Sequence, residues 1–317
     1  MPDNIAMEVL NTLLPVFFMI ALGAFLHRVK FLSDEVVTGL NGLVFWVGLP
    51  SLLFYEIIIA EYNYSLAGKT FLVILAATIL CVVAGYIVAF LLKMPSLSVG
   101  AFVQGAFRGN LYYIGLAVLL YSIADYNPID AERIKNIAIL VLAFIIPIYN
   151  FLAVIILLAG RQRLDRRVIL TLSRQIVTNP LIIACVAGVI YQFIFPPLPV
   201  AISRTLSEVG QISLPLALIA VGAALVQSNL GSSVLWSVIA TVIKIAFAPV
   251  VGLLFAMLLN LGPGETKVAL IMLACPTAAV SYVMAEQLGA DEKLSAAIVT
   301  VSTVLSIISL GVVLAVY

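Results

Sequence analysis

The chain has 317 residues, of which 64% are hydrophobic and only 10% charged, a balance that suits lipid rather than water as solvent. Its length accommodates roughly ten spans of about 20 residues with short loops and leaves no room for a soluble domain. A net charge of +1 argues against nucleic acid as a partner. Catalytic signatures are missing too. With His27 alone there is no His-Glu-x-x-His zinc site, no serine sits in a nucleophile elbow, and no phosphate-binding loop is present. The chain therefore reads as a non-enzyme that needs no metal and no cofactor.

Hydropathy places the first five spans near 8–27, 37–58, 68–92, 98–122 and 135–159. The first begins after Asp3 and Glu8 and is long enough to cross, so it reads as a span rather than a cleaved leader. His27 and Arg28 close it at the interface. The second carries Asn41, within reach of polar cargo, and Pro50, expected to bend the helix around a cavity. Cys81 lies in the third span, and with Cys185 and Cys275 it belongs to no paired motif. These three cysteines read as small buried hydrophobes.

The fourth span, GAFVQGAFRGNLYYIGLAVLLYSIAD, holds polar groups at membrane depth. A midplane arginine costs about 2.5–3.5 kcal/mol on insertion scales, so Arg108 calls for a protein partner or a wet cavity. On a continuous helix Gln104, Arg108 and Tyr112 stack on one face. Gly105, Gly109 and Gly115 weaken that helix and admit a close backbone. The alternative is a small-residue packing face at Gly105 and Gly109 with a structurally paired arginine.

A polar linker at 161–173 follows, with Arg161, Arg163, Arg166 and Arg167 against Asp165. It separates a first repeat (1–160) from a second (174–317). Short loops rich in Lys and Arg stay in the cytoplasm. On that basis nine cationic residues (Arg28, Lys30, Lys93, the four linker arginines, Arg174 and Lys293) lie inside. Five (Lys69, Arg133, Lys135, Arg204 and Lys267) lie outside. Both termini then face the non-cytoplasmic side of the cell (cytoplasmic) membrane.

The second half gives spans near 174–195, 204–226, 232–259, 266–288 and 294–316. Gln211 precedes Pro215 in the seventh, as Asn41 precedes Pro50 in the second. Lys244 lies mid-span in the eighth, either as a counter-charge to cargo or snorkelling or pairing with Glu56 or Glu286. The ninth, KVALIMLACPTAAVSYVMAEQLGA, carries Pro276 near its middle, where a helix must break or kink. A half-helix starting at Thr277, Ala278 and Ala279 would aim free amides at the midplane, an anion site. Glu286, three turns on, is a possible proton relay; a plain proline kink is the alternative.

A shift of 165 residues lays Pro15 on Pro180, Gly23 on Gly188 and Leu49-Pro50 on Leu214-Pro215. It brings Arg108-Gly109-Asn110 within one residue of Ala274-Cys275-Pro276. Five spans per half is an odd number, so the second half enters the membrane inverted. Inverted repeats with matched broken helices are the build of secondary transporters.

FRGNLYYIGLAVLL, ACPTAAVSYVMAEQLGADEKLSAAIVTVSTVLSIISL, NPLIIACVAGVIY and SLPLALIAVGAAL resemble segments of the auxin efflux carrier family over essentially the whole chain. The resemblance implies an all-α integral membrane protein of ten helices in two inverted five-helix repeats. Spans one, two, six and seven would form a scaffold. Spans three to five and eight to ten would form a transport bundle in which the broken fourth and ninth cross. Members carry auxin or small carboxylates such as malate or malonate, and homodimers are typical. The family's proline in the fourth span is replaced here by Leu116-Ala117, so opening rests on Gly109 and less complete unwinding is expected.

The expected function is alternating-access transport of a small organic anion. Asn110 would hydrogen-bond a carboxylate, and Arg108, Gly109, Cys275, Pro276, Thr277 and Ala278 would complete the site. Tyr112, Tyr113 and Tyr282 would line the cavity. Two alternatives stay open: a sodium-coupled symporter of related crossed-helix build, and a receptor that binds an organic anion without moving it.

Overall fold

Long apolar runs without turn signals satisfy their backbone groups internally in lipid only as helices. The computed structural model describes residues 2–59, 64–159, 178, 180–227 and 234–317. Within these residues the chain is all helical, and its single β feature is an isolated bridge. The helices are α1 (Pro2–Arg28), α2 (Asp34–Ile59), α3 (Tyr64–Leu91), α4 (Ser96–Phe107), α5 (Leu111–Ser122) and α6 (Pro128–Ala159). There follow α7 (Pro180–Ile194), α8 (Val200–Gln227), α9 (Val234–Leu258), α10 (Pro263–Ala274), α11 (Val280–Gln287) and α12 (Glu292–Val316). Seven of them, α1, α2, α3, α6, α8, α9 and α12, are long and apolar enough to cross a membrane. The predicted fourth and ninth spans are each divided, into α4 with α5 and α10 with α11. The predicted sixth is described from Pro180, and the linker arginines with Arg174 lie outside the described residues.

Local chemistry sets several boundaries. Ser33 caps α2, its Oγ accepting from the Val36 amide at 3.3 Å. Asp291 caps α12 through the Leu294 amide at 3.0 Å and also accepts from Ser98 Oγ at 2.7 Å, tying α12 to the start of α4. The two prolines expected to bend helices differ. Pro50 follows a π turn over Val44–Gly48 that widens α2 where the proline ring would meet the preceding turn. Pro215 lies inside α8 with no such turn. Another π turn, Ile243–Phe247, precedes Pro249 in α9. The Ile245 carbonyl that Pro249 cannot serve is taken by Ser309 Oγ of α12.

The most extensive packing falls into two sets. In one, α1 lies on α8, and α2 on α7 and α8; in the other, α3, α4, α6, α9, α10 and α12 pack among themselves. Gly23 lets α1 touch the α8 backbone, because a Cβ there would stand 1.9 Å from the Ile219 carbonyl oxygen. Gly188 plays the same part between α7 and α2, where a Cβ would lie 3.3 Å from the Phe54 carbonyl oxygen.

Candidate functional site

The two interrupted spans meet at their breaks. α4 stops at Phe107, Arg108 turns extended (φ −79°, ψ 100°), and α5 starts after Asn110 (φ −81°, ψ 66°). Gly109 forms an antiparallel bridge with Thr277. The Asn110 amide donates to the Pro276 carbonyl at 2.7 Å, and the Ala278 amide to the Arg108 carbonyl at 2.9 Å. The fourth span is therefore fully opened without a proline, against the expectation of partial unwinding. Bridge hydrogen bonds replace the helical ones that the break gives up. The bridge also pairs Gly109 with Thr277, three residues beyond the Ala274 that the 165-residue shift sets opposite it.

Three further carbonyls at the breaks are served by side chains. Thr277 Oγ1 donates to Gly105 O at 2.7 Å, Cys275 Sγ to Met272 O at 3.0 Å, and Lys244 Nζ to Leu273 O. These bonds change the amide reading of the ninth span. The Thr277 amide is spent on Ser302 Oγ at 3.0 Å and that of Ala278 on the bridge, so neither is free for an anion. α11 begins at Val280, and the amides of Ala279 and Val280 have no acceptor among the described residues; nor do those of Leu111, Tyr112 and Tyr113. Both second half-helices thus start with unpaired donors at the crossing.

A cavity of about 500 Å³ opens on that crossing, within the usual size of small-molecule sites. Arg108, Gly109, Asn110, Tyr112, Tyr113 and Ala278 line it as expected from the sequence. It extends along α6 from Ile146 to Val154 and to Thr178, Pro180 and Leu181, toward the face where α6 ends and α7 begins. Phe45, Trp46, Tyr149 and Phe151 make much of its wall aromatic. Tyr149 is held by Thr78 Oγ1 at 2.9 Å and packs edge-on against Phe107.

Arg108 is 6% exposed and its guanidinium has neutral partners throughout. Nη2 donates to Asn150 Oδ1 at 2.6 Å, and Nη1 to the Met284 sulfur. The Gln104 amide, oriented by its hydrogen-bond network, accepts from Nη1 at 3.1 Å and donates to the Ser281 carbonyl at 3.2 Å. Among the described residues no carboxylate pairs with Arg108. Gln104 thus joins the arginine as expected, whereas Tyr112 leaves that face because the helix breaks between them; its hydroxyl instead reaches the Cys185 thiol of α7.

Several predicted residues lie elsewhere. Cys275, Pro276 and Thr277 shape the break from behind and do not line the cavity, and Tyr282 and Asn41 are absent from its wall. Gln211 is exposed and bonded to Ser207, and Glu286 is exposed. Lys244 does not snorkel, being fully buried, and pairs with no carboxylate among the described residues, while Glu56 is taken by Lys135 at 2.8 Å. Asn150 and Met284 went unread. Asn150 is a lone amide in the apolar run PIYNFLAVII, the same intramembrane polar signal that marks Arg108; Met284 gives no such signal.

Crossed broken helices around a buried, unpaired cation suit a membrane carrier. The signature of the family described as membrane transport protein matches residues 8–314. The chain belongs to the membrane transport protein family. The resemblance to auxin efflux carriers drawn from its sequence holds accordingly. This membrane transport protein is 25% identical over 311 residues to a Rhizobium meliloti (strain 1021) protein named "Putative malonate transporter", covering 95% of this chain and 93% of that one. It is also 22% identical over 306 residues to an uncharacterized transporter of Methanocaldococcus jannaschii, covering 94% and 96% respectively.

Proposed function

We propose that this protein is a secondary transporter that moves a small organic anion by alternating access, binding its carboxylate at the crossing of the two broken spans. The observation that carries the reading is Arg108, a buried cation with no carboxylate partner among the described residues, on the wall of a cavity. A substrate carboxylate supplies the missing counter-charge, and the planar guanidinium suits it geometrically. Asn110 and the unpaired amides at 111–113 and 279–280 add donors at the positive ends of two half-helices. One guanidinium amid aromatic walls favours a monocarboxylate with an apolar body over a compact dicarboxylate.

Ten spans in two inverted five-helix repeats complete the reading, with α1, α2, α7 and α8 as scaffold and the remaining helices as bundle. Two contacts support the repeat. Gly23 and Gly188 are 165 residues apart, and so are the carbonyls they approach, Phe54 and Ile219. A shift of 168 residues exchanges the two hydrogen bonds of the bridge, because Asn110 becomes Ala278 and Arg108 becomes Pro276. With the arginine-rich linker in the cytoplasm, the cavity extends toward that side of a cell membrane. A homodimer is the proposed assembly.

The test is uptake of radiolabelled indoleacetate and malonate into proteoliposomes by wild type and Asn110→Ala. Wild-type uptake, with loss in the variant, is expected, and indoleacetate should outcompete malonate. Near wild-type transport with unaltered affinity in Asn110→Ala sinks the assignment. The sodium-symporter alternative is met by repeating uptake without sodium and with the proton gradient collapsed.

A further inference from the structure

Lys244 is another buried cation, one that does not line the cavity. It sits in the π turn of α9 and is fully buried, so it reaches neither membrane face. Its Nζ donates to the carbonyl of Leu273, in the last turn of α10. That end of a helix carries unpaired carbonyls and the negative end of the dipole. The titratable groups that act on it electrostatically are the thiols of Cys81 on α3 and Cys275 at the end of α10. Among the described residues no carboxylate pairs with it.

The two carboxyl ends at the crossing are closed by different chemistry. At α4 the Gly105 carbonyl takes a neutral hydroxyl from Thr277, and at α10 the Leu273 carbonyl takes an ammonium. The carboxyl end of a broken half-helix at the midplane is a place where carriers of this build coordinate a coupling cation. Here that place is filled by a side chain. Lys244 also lies directly behind the anion site, since a Cβ on Gly109 would stand 3.2 Å from its Cε.

We propose that Lys244 is a tethered substitute for a soluble coupling cation: its ammonium occupies the cation position at the carboxyl end of α10. Anion transport then requires no sodium, and the ammonium adds its charge to the site across Gly109. The proposal rests on the transporter reading above, whose anion is the charge being balanced.

Thermal melting of purified protein without any organic anion tests the cation position. Wild type is expected to melt at the same temperature in choline chloride and in sodium chloride. Lys244→Ala, whose cation position is vacated, is expected to rise in melting temperature with added methylammonium or sodium. A wild type stabilised by sodium, or a Lys244→Ala indifferent to both cations, overturns the proposal. No organic anion enters this arm, so its failure is distinct from failure of the anion reading. Lys244→Met keeps length and volume without charge and covers the case in which the alanine variant does not fold. It is expected to bind indoleacetate about tenfold more weakly than wild type. Wild-type affinity in folded Lys244→Met also overturns it.

Discussion

Arg108 holds the fourth span's charge at membrane depth with an amide oxygen, a thioether and a second amide as its protein partners. A carboxylate entering the cavity meets a guanidinium already oriented by Asn150, so little side-chain entropy remains to be lost on binding. Arg108→Gln removes the charge and keeps a hydrogen-bonding side chain. It is expected to weaken anion binding by about 2 kcal/mol or more, roughly thirtyfold, because the carboxylate is then buried unpaired. Titration calorimetry on the purified variant, with its melting temperature as a folding control, measures this. Unchanged affinity for both indoleacetate and malonate would place the carboxylate elsewhere. Arg108 and Asn110 were legible in the sequence because polar groups in an apolar run are conspicuous. The fate of the Thr277 and Ala278 amides was not, because their acceptors, Ser302 and Arg108, are 25 and 170 residues away in the chain.

At the level of helices, hydropathy fixed the long spans well, with α3, α6, α9 and α12 close to the ranges it gives. Gly109 and Pro276 mark where both breaks fall but not their extent. The fourth opens through main-chain bonds to the ninth, which no local propensity encodes, and the ninth begins its second half at Val280 rather than Thr277. Helix-to-helix approach is equally invisible to hydropathy, yet it dominates the α1–α8 contact. Gly23→Ala puts a methyl group 1.9 Å from the Ile219 carbonyl, so the helices must part. A loss of about 1–3 kcal/mol is expected from such overpacking. It reads out as a lowered melting temperature in detergent, with anion affinity retained in the protein that stays folded. An unchanged melting temperature would mean that α1 and α8 do not pack at this glycine.

For the molecule as a whole, the proposed alternating access divides contacts into those that must persist and those that must break. A Cβ on Gly188 would meet Ile57 inside the proposed scaffold, whereas one on Gly311 of α12 would stand 3.8 Å from Val9 of α1, across the proposed boundary. A disulfide from Gly188→Cys with Ile57→Cys is expected to leave transport running. One from Gly311→Cys with Val9→Cys is expected to arrest it, with recovery on reduction. Transport that continues through the second cross-link would show that α12 does not move against α1.

The bridge between Gly109 and Thr277 bears on how such a carrier changes over evolutionary time. Its two hydrogen bonds run from main chain to main chain, so they ask almost nothing of side-chain identity beyond room at Gly109. The residues facing the cavity, Trp46, Tyr112, Asn150 and Met284 among them, are free of that duty. Mutational drift in the lining can therefore retune which substrate is carried while the joint behind it stays intact.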